Sequence, residues 1–98
     1  MTLQVSHDPG KHAFTVEVEG YTGTLDYDLR GTTMTITHTL VPEAIGGRGV
    51  AAELTRVALE TARANGWKVV PMCSYAVAYL RRHPEYNDLL LGQVGKGA

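Results

Sequence analysis

The sequence predicts an α+β fold, a mixed sheet that begins as an antiparallel meander, continues into a βαβ unit and carries two main helices. Three observations predict it. Apolar and polar residues alternate through most of the first 41 residues, as in strands with one buried face. From Val50 onward, apolar residues recur at helical spacing. Between two helical stretches lies WKVVPMC, an apolar run long enough for a buried strand and too short for a helix.

Three alternating segments form the predicted meander: FTVEVEG, YTGTLDYDL and TTMTITHTLV. Gly20 and Gly31 separate them, and such short connections predict antiparallel neighbours. LQVS, residues 3–6, predicts a short edge strand before them. The side chains expected to face inward are Phe14, Val16, Val18, Tyr21, Leu25, Tyr27, Leu29, Met34, Ile36, His38 and Leu40.

The second half predicts helix, strand and helix in turn. An apolar stripe defines the first helix, which ends at the C-cap pair Asn65-Gly66. SYAVAYLRRH predicts the second helix, capped by Ser74 and stopped before Pro84. EYNDLLLG predicts a last strand and residues 92–98 a disordered tail. The stripe of the first helix consists of Val50, Leu54, Val57, Ala58 and Thr61.

The topology follows from the order of these elements. The strands on either side of the first helix belong to one βαβ unit, so we expect them to be parallel and adjacent. We expect the helices to cover mostly the face that carries residues 34–40 of the third strand.

Size and composition limit the class of protein. A chain of 98 residues predicts one domain, residues 1–98, with a surface groove rather than an enclosed chamber. We expect a cytoplasmic protein without a membrane partner, because the sequence has no run of about 20 apolar residues and no signal-peptide core. Cys73, the single cysteine, cannot form an internal disulfide, which favours a reducing compartment.

Charge gives weaker indications about partners. The net charge is −1, with acidic residues in excess before the glycine-rich segment and basic residues in excess after it. No dense basic tract is present, so no nucleic-acid partner is expected. A row of threonines on the third strand could face water or another subunit, so we expect a monomer or a weak homodimer. Four carboxylates could attract a cationic amine but are better explained as a solvated sheet face: Glu17, Glu19, Asp26 and Asp28.

The segment IGGRGVAAEL, residues 45–54, is the strongest chemical signal. Glycines lead directly into a helix, whose free N–H groups and positive dipole end favour a phosphate. A Walker A motif would need a lysine followed by Ser or Thr, and neither follows here. The dinucleotide fingerprint matches Gly47, Gly49 and Ala52, but the alternating strand before them does not suit it.

Residues 38–54, HTLVPEAIGGRGVAAEL, resemble the acyl-CoA-binding motif of the GNAT superfamily of N-acyltransferases. The resemblance implies that the loop N–H groups hold the pyrophosphate of coenzyme A. It also implies that the backbone of Val41, at the end of a strand splayed from its parallel neighbour, pairs with pantetheine amides. The superfamily pattern Q/R-x-x-G-x-G/A falls on Gly46, Gly47, Arg48, Gly49, Val50 and Ala51, with Gly46 in place of the usual Gln or Arg.

Residues 71–86, PMCSYAVAYLRRHPEY, are similar to a small single-domain branch of that superfamily. The branch carries an H-T-x-V-P segment before the loop and a C-S-Y segment after the next strand, matched here by residues 38–42 and 73–75. The resemblance spans roughly residues 12–91. It implies a GNAT-like mixed sheet and transfer of an acetyl group from acetyl-CoA to an amine of a small molecule or protein. No metal is expected, because no cluster has metal-ligand spacing.

Four residues are candidates for catalysis, each with a plainer alternative. Cys73 could simply pack, yet a helix N-terminus favours thiolate, and the resemblance implies an active-site residue or acetyl acceptor. His38 could be a core histidine or a general base. In the second case, the two neighbouring parallel strands would bring His38 and Cys73 together. Tyr75 and Tyr79 lie one helical turn apart. The resemblance implies that one of them protonates the leaving thiolate, whereas packing is the alternative.

Two other classes stay open. A chain this short lacks the elements that build an acceptor pocket in larger relatives, so it could be a non-catalytic coenzyme A-binding module that senses or interacts. A cysteine hydrolase or redox protein fits less well, because a second thiol to resolve a disulfide is absent.

Overall fold

The computed structural model describes residues 3–91, which form a five-stranded sheet with two helices packed on one face. Short 3₁₀ helices occupy Glu43–Ile45 and Pro84–Leu89. The predicted disordered tail, residues 92–98, lies outside the described residues. The strands are β1 Ser6–Asp8, β2 Ala13–Val18, β3 Tyr21–Arg30, β4 Thr33–Leu40 and β5 Lys68–Pro71, and the helices are α1 Val50–Asn65 and α2 Ser74–Arg82.

The strands lie in the sheet in the same order as in the chain. The first four pair antiparallel, and β4 pairs parallel with β5 across the α1 crossover. The predicted fold class and the parallel βαβ unit are therefore confirmed. Two strand predictions were wrong. The edge strand begins at Ser6 rather than Leu3, and residues 85–89 of the segment predicted as a last strand belong to the second 3₁₀ helix. Among its described residues, 85–91, Leu90 alone makes a parallel bridge, to Val69.

One apolar core lies between the sheet and the two helices. Phe14, Leu25 and Met34 supply the sheet side and are fully buried. The α1 stripe is turned slightly from its predicted position, because Leu59 and Ala62 are buried while Val57 and Thr61 are only partly covered. Tyr21 was expected to face inward and instead is 47% exposed, next to the turn that joins β2 and β3.

Gly23 lets the start of α1 approach the sheet closely. A Cβ atom added at this buried position would lie 2.8 Å from Cγ1 of Val50, the first residue of α1. Such a contact is shorter than van der Waals packing allows, so only glycine permits this spacing. Gly23 therefore fixes where the N-terminus of α1 rests on β3.

A β-bulge in β4 changes which side chains at the end of this strand face the core. Asp26 pairs with His38 and Tyr27 pairs with Ile36, so no residue of β3 lies opposite Thr37 in the register. The inserted residue reverses the alternation beyond it. His38 and Leu40 are exposed rather than buried beside Met34 and Ile36.

The predicted helix ends are confirmed, but one cap is not. Gly66 closes α1 in a left-handed conformation with φ 72°, and its N–H donates to the carbonyls of Ala62 and Arg63. At the start of α2 the N-cap residue is Cys73 and not Ser74. None of the helices described in residues 3–91 is long and apolar enough to cross a membrane.

Candidate functional site

Both helices begin at the same edge of the sheet. α1 follows β4 and α2 follows β5, and these strands are parallel neighbours, so their carboxyl ends lie side by side. The N-termini of both helices, with their free N–H groups and positive dipole ends, are thereby brought to one edge. Crevices at the carboxyl ends of parallel strands are common ligand sites.

The two parallel strands separate at this edge. Their pairing runs from Thr33 opposite Lys68 to Ile36 opposite Pro71, while β4 continues to Leu40. The Ile36 carbonyl accepts the N–H groups of Met72 and Cys73, at 2.9 and 3.2 Å, as the chain leaves the sheet. The edge of β4 beyond Ile36 that faces β5 therefore has no ladder partner in the part of the chain described, although the Thr39 backbone there contacts the Cys73 sulfur. An extended ligand with amide groups could pair with it as an added strand does.

The glycine loop between β4 and α1 exposes backbone N–H groups. Gly47 and Gly49 adopt left-handed conformations with φ of 77° and 76°, which other residues rarely adopt. The first bond of α1 runs from the Glu53 N–H to the Gly49 carbonyl, at 3.0 Å. The N–H groups between them therefore have no acceptor within the helix, and they can bind an anion.

An open groove of about 290 Å³ joins these features. It contains every predicted cofactor-binding residue except Arg48, and it adds Ala52 and Tyr75. Small side chains and backbone dominate the wall, which suits a ligand bound through main-chain groups. The lining residues are Val41, Gly46, Gly47, Gly49, Val50, Ala51, Ala52 and Tyr75.

Arg48 forms an ion pair instead of lining the groove. Its Nη1 donates to Oε2 of Glu19 at 2.7 Å, which joins the glycine loop to the turn between β2 and β3. The guanidinium lowers the pKa of the Glu19 carboxyl through this hydrogen bond and its charge. In this structure the loop therefore presents backbone N–H groups to the groove, and the Arg48 side chain points to Glu19 instead.

A second groove, of about 220 Å³, lies between α1 and α2 and shares Ala52 and Tyr75 with the first. Tyr79 and Arg82 line it, and the Tyr79 ring stacks on that of His83 with 4.1 Å between centroids. Burial raises the pKa values of Tyr75 and Tyr79, so both phenols stay protonated at neutral pH. Arg82 takes part in no ion pair among residues 3–91. The grooves thus form one surface on which Tyr75 lies at the junction.

Cys73 faces the bulged end of β4. Its Sγ lies 3.5 Å from Oγ1 of Thr39, and Cys73 is the N-cap residue of α2, where its side chain makes no capping hydrogen bond. Burial raises the pKa of the thiol, but the Thr39 hydroxyl and the backbone N–H groups of Ala76, Tyr75 and Thr39 outweigh burial and lower it overall. The sulfur is therefore more readily ionised than an ordinary thiol.

His38 and Cys73 do not meet as the sequence suggested. The bulge turns His38 to the open face of the sheet, opposite Asp26 on β3. In its place Thr39 turns toward the helices and contacts Cys73. His38 is not among the described residues that line the groove.

Sequence reasoning missed three residues of this region: Thr39, Glu19 and Arg82. Thr39 lies inside the quoted H-T-x-V-P segment, but strict alternation assigned it to the wrong face. Glu19 is distant in the chain from Arg48, and no local pattern indicates such a pair. Arg82 could have been found from the helical spacing, because it lies seven residues after Tyr75 on α2.

The described residues contain no group of three or more His, Cys, Asp or Glu side chains that could hold a metal ion. The groove instead offers backbone donors, small side chains and one tyrosine. These groups suit a phosphate-containing ligand with an amide-rich arm.

Comparison with known proteins gives consistent matches. A profile of the GCN5-related N-acetyl-transferase family matches residues 13–89. The chain is 33% identical over 85 residues to Protein NATD1 of Gallus gallus, covering 84% of this chain and 77% of that protein. It is 32% identical over 85 residues to Protein NATD1 of Homo sapiens, covering 84% and 75%. A GCN5-like protein from Staphylococcus aureus, solved by NMR, superposes with a TM-score of 0.71 at 28% identity, covering 92% of this chain and 89% of that one.

Proposed function

Because the chain belongs to the GCN5-related N-acetyltransferase family, we propose that it binds acetyl-CoA and transfers the acetyl group to an amine. The family supports acetyl transfer in general. The observation that carries the finer proposal is the free edge of β4, beyond Ile36, lying beside the exposed N–H groups of the glycine loop. These two features match the two parts of coenzyme A, a pyrophosphate and an arm with two amides.

We infer the following placement. The N–H groups of Val50 and Ala51, with the α1 dipole, hold the pyrophosphate. Val41 and the free edge of β4 hold the amide arm, which directs the thioester into the gap between β4 and β5. The second groove, lined by Tyr79 and by Arg82, which has no ion pair within residues 3–91, accommodates the nucleotide end.

Acetyl-CoA supplies an activated acetyl thioester. The chain's contribution is mainly positioning, because a fixed thioester and a nearby amine react as if within one molecule. Backbone N–H groups near Val41 polarise the carbonyl. The amine nitrogen forms the new C–N bond, the C–S bond breaks and the amine loses a proton. Tyr75 lies in the groove with a protonated phenol, so it can supply a proton to the departing sulfur.

We favour direct transfer over an acetyl group carried on Cys73. The sulfur contacts Thr39, and Cys73 is not among the described residues that line the groove. His38 is the candidate base for an amine that approaches from the open face of the sheet, where Asp26 lies beside it.

Calorimetric titration with acetyl-CoA and CoA tests the proposal, comparing wild type with Gly49→Ala and Gly31→Ala. Both glycines have positive φ and open space for a Cβ, but Gly31 lies in the turn between β3 and β4. Alanine disfavours the left-handed conformation by roughly 1–2 kcal/mol, so Gly49→Ala should weaken binding by about tenfold. Gly31→Ala should leave binding unchanged. Absence of saturable binding by wild type would overturn the proposal.

A second assay separates catalysis from binding alone. Release of CoA thiol from acetyl-CoA is followed over a panel of primary amines, with and without the protein. Turnover that depends on one class of amine supports the transferase. Binding without turnover across the panel would favour the alternative, a coenzyme A-binding module that senses or interacts.

A further inference from the structure

An ion pair outside the groove joins the glycine loop to the rest of the sheet. Arg48 lies between the two left-handed glycines, and its guanidinium donates to Glu19 at 2.7 Å. Glu19 itself occupies a positive φ of 52° and is followed by Gly20 at 83°. The contact therefore joins two unusual turns that are far apart in the sequence.

The two ends of this ion pair differ in rigidity. Glu19 follows Val18, which is buried and paired with Tyr21 across the hairpin, so its backbone is anchored in the sheet. The loop that carries Arg48 is exposed from Gly46 to Gly49 and rich in glycine. Glycine has the largest backbone freedom to lose, so a fixed loop conformation costs entropy. A tether from the anchored hairpin reduces the set of conformations that the loop can sample.

The direction of the Arg48 side chain supports a positioning role. Arg48 does not line the groove in the described structure, whereas the glycines on either side of it do. The ion pair thus leaves the N–H groups free to face a ligand. It holds the side chain on Glu19 while the backbone keeps the two left-handed turns that form the anion site.

We propose that Glu19 is a positioning residue, which holds the glycine loop in its ligand-binding conformation by pairing with Arg48. This inference rests on the proposed function, because the ligand whose binding it favours is coenzyme A. Glu19 acts through Arg48 and contacts no ligand itself. If either residue of the ion pair is replaced, the loop remains but samples more conformations. Ligand binding must then order the loop, which weakens the affinity.

The test is calorimetric titration of CoA into wild type, Glu19→Gln and Glu17→Gln at low and high ionic strength. Glu17→Gln is the matched control, since it removes the same charge from an exposed position on β2 that has no ion pair among the described residues. We expect Glu19→Gln to weaken CoA binding by about two- to fivefold at low ionic strength, the range for exposed ion pairs. Glu17→Gln should bind as wild type does, and the difference should shrink as salt is added.

A double-mutant cycle separates positioning from direct contact. If Arg48 acts only through the pair, then Arg48→Gln, Glu19→Gln and the double variant weaken binding equally. A larger loss in Arg48→Gln than in Glu19→Gln would mean that the arginine contacts the ligand, which overturns the proposal. Melting temperatures are measured in parallel. If Glu19→Gln lowers the melting temperature but leaves the CoA affinity unchanged, the ion pair only stabilises the fold. That result would also overturn the proposal.

The two proposals fail in different ways. Wild type that binds no CoA overturns the proposed function, and this inference with it. Wild type and Glu17→Gln that bind CoA, together with a Glu19→Gln variant that binds equally or more tightly, overturn the inference alone. Tighter binding would show that Glu19 competes with the ligand for Arg48.

Discussion

At the scale of single residues, the inserted Thr37 decides which side chains reach the candidate site. Without the bulge, His38 would face the helices and Thr39 the open side of the sheet. With it, the Thr39 hydroxyl lies 3.5 Å from the Cys73 sulfur and helps to lower the pKa of that thiol. The chemistry of Cys73 is therefore set by a backbone irregularity on the neighbouring strand.

Thr39→Val should make Cys73 less reactive. Removing the hydroxyl removes a hydrogen bond that stabilises the thiolate, so the pKa of Cys73 rises and less thiolate is present at neutral pH. We expect alkylation by iodoacetamide at neutral pH to slow by about two- to tenfold, the worth of one hydrogen bond. Thr35→Val, on the same strand and away from the sulfur, serves as the control. Equal rates in the two variants would contradict the assigned role of Thr39.

At the scale of elements, the position of α1 depends on how its first turn meets the sheet. Val50 packs over Gly23, and the glycine loop enters the helix directly from that point. The N–H groups proposed to bind pyrophosphate belong to this same turn. A change in packing beneath Val50 is therefore expected to change the geometry of the candidate anion site above it.

Gly23→Ala should destabilise the protein by roughly 1–3 kcal/mol, because the added Cβ would lie 2.8 Å from a stiff, β-branched valine. The free energy of unfolding in urea measures this cost. CoA affinity should fall in the same variant, since the start of α1 must move. Pairing the change with Val50→Ala should relieve the strain, so the double variant loses less than the sum of the two single changes. A strictly additive loss would refute the close contact.

Prediction from the sequence succeeded where the signal is local. The Asn65-Gly66 cap and the stop before Pro84 follow from short patterns with a known physical cause, and the parallel βαβ unit follows from the order of the elements. The bulge was missed because period-two alternation cannot show an inserted residue. The segment that forms the 3₁₀ helix Pro84–Leu89 was wrongly predicted as a strand. Its side chains bond to α1, more than 20 residues earlier, and a local pattern does not show such contacts. The groove residues were found from a motif, whereas Glu19 became visible only once the fold brought it to Arg48.

At the scale of the whole molecule, the second 3₁₀ helix fastens the end of the described chain to α1. Tyr86 donates to Glu60 at 2.6 Å, and Arg63 contacts Asp88 through two bonds of 2.8 and 3.2 Å. The Arg63 guanidinium also lies over the Tyr86 ring, 5.6 Å from its centroid. These contacts hold the segment after α2 against the helix that begins at the glycine loop.

The Tyr86 contact predicts a specific loss of stability at alkaline pH. Burial, followed by the hydrogen bond to Glu60, raises the pKa of Tyr86 to about 12 from an ordinary value near 10. The protonated phenol is favoured by folding, so its contribution is complete below about pH 10 and is lost as the pH rises through about 12. The free energy of unfolding should fall less steeply over this interval in Tyr86→Phe than in wild type. Tyr21→Phe, at an exposed tyrosine, should keep the wild-type slope. If the free energy of unfolding falls equally steeply with pH in all three proteins, the protonated Tyr86 phenol does not contribute to stability.

The order of strands has a consequence for how the molecule acquires its site during folding. Every neighbouring pair from β1 to β4 is joined by a short turn, so those pairs can nucleate from contacts close in the chain. The pairing of β4 with β5 must instead wait for a crossover that contains the whole of α1. The gap, the groove and the junction at Tyr75 all depend on that final closure. We therefore expect the meander to form early and the candidate site to be completed last.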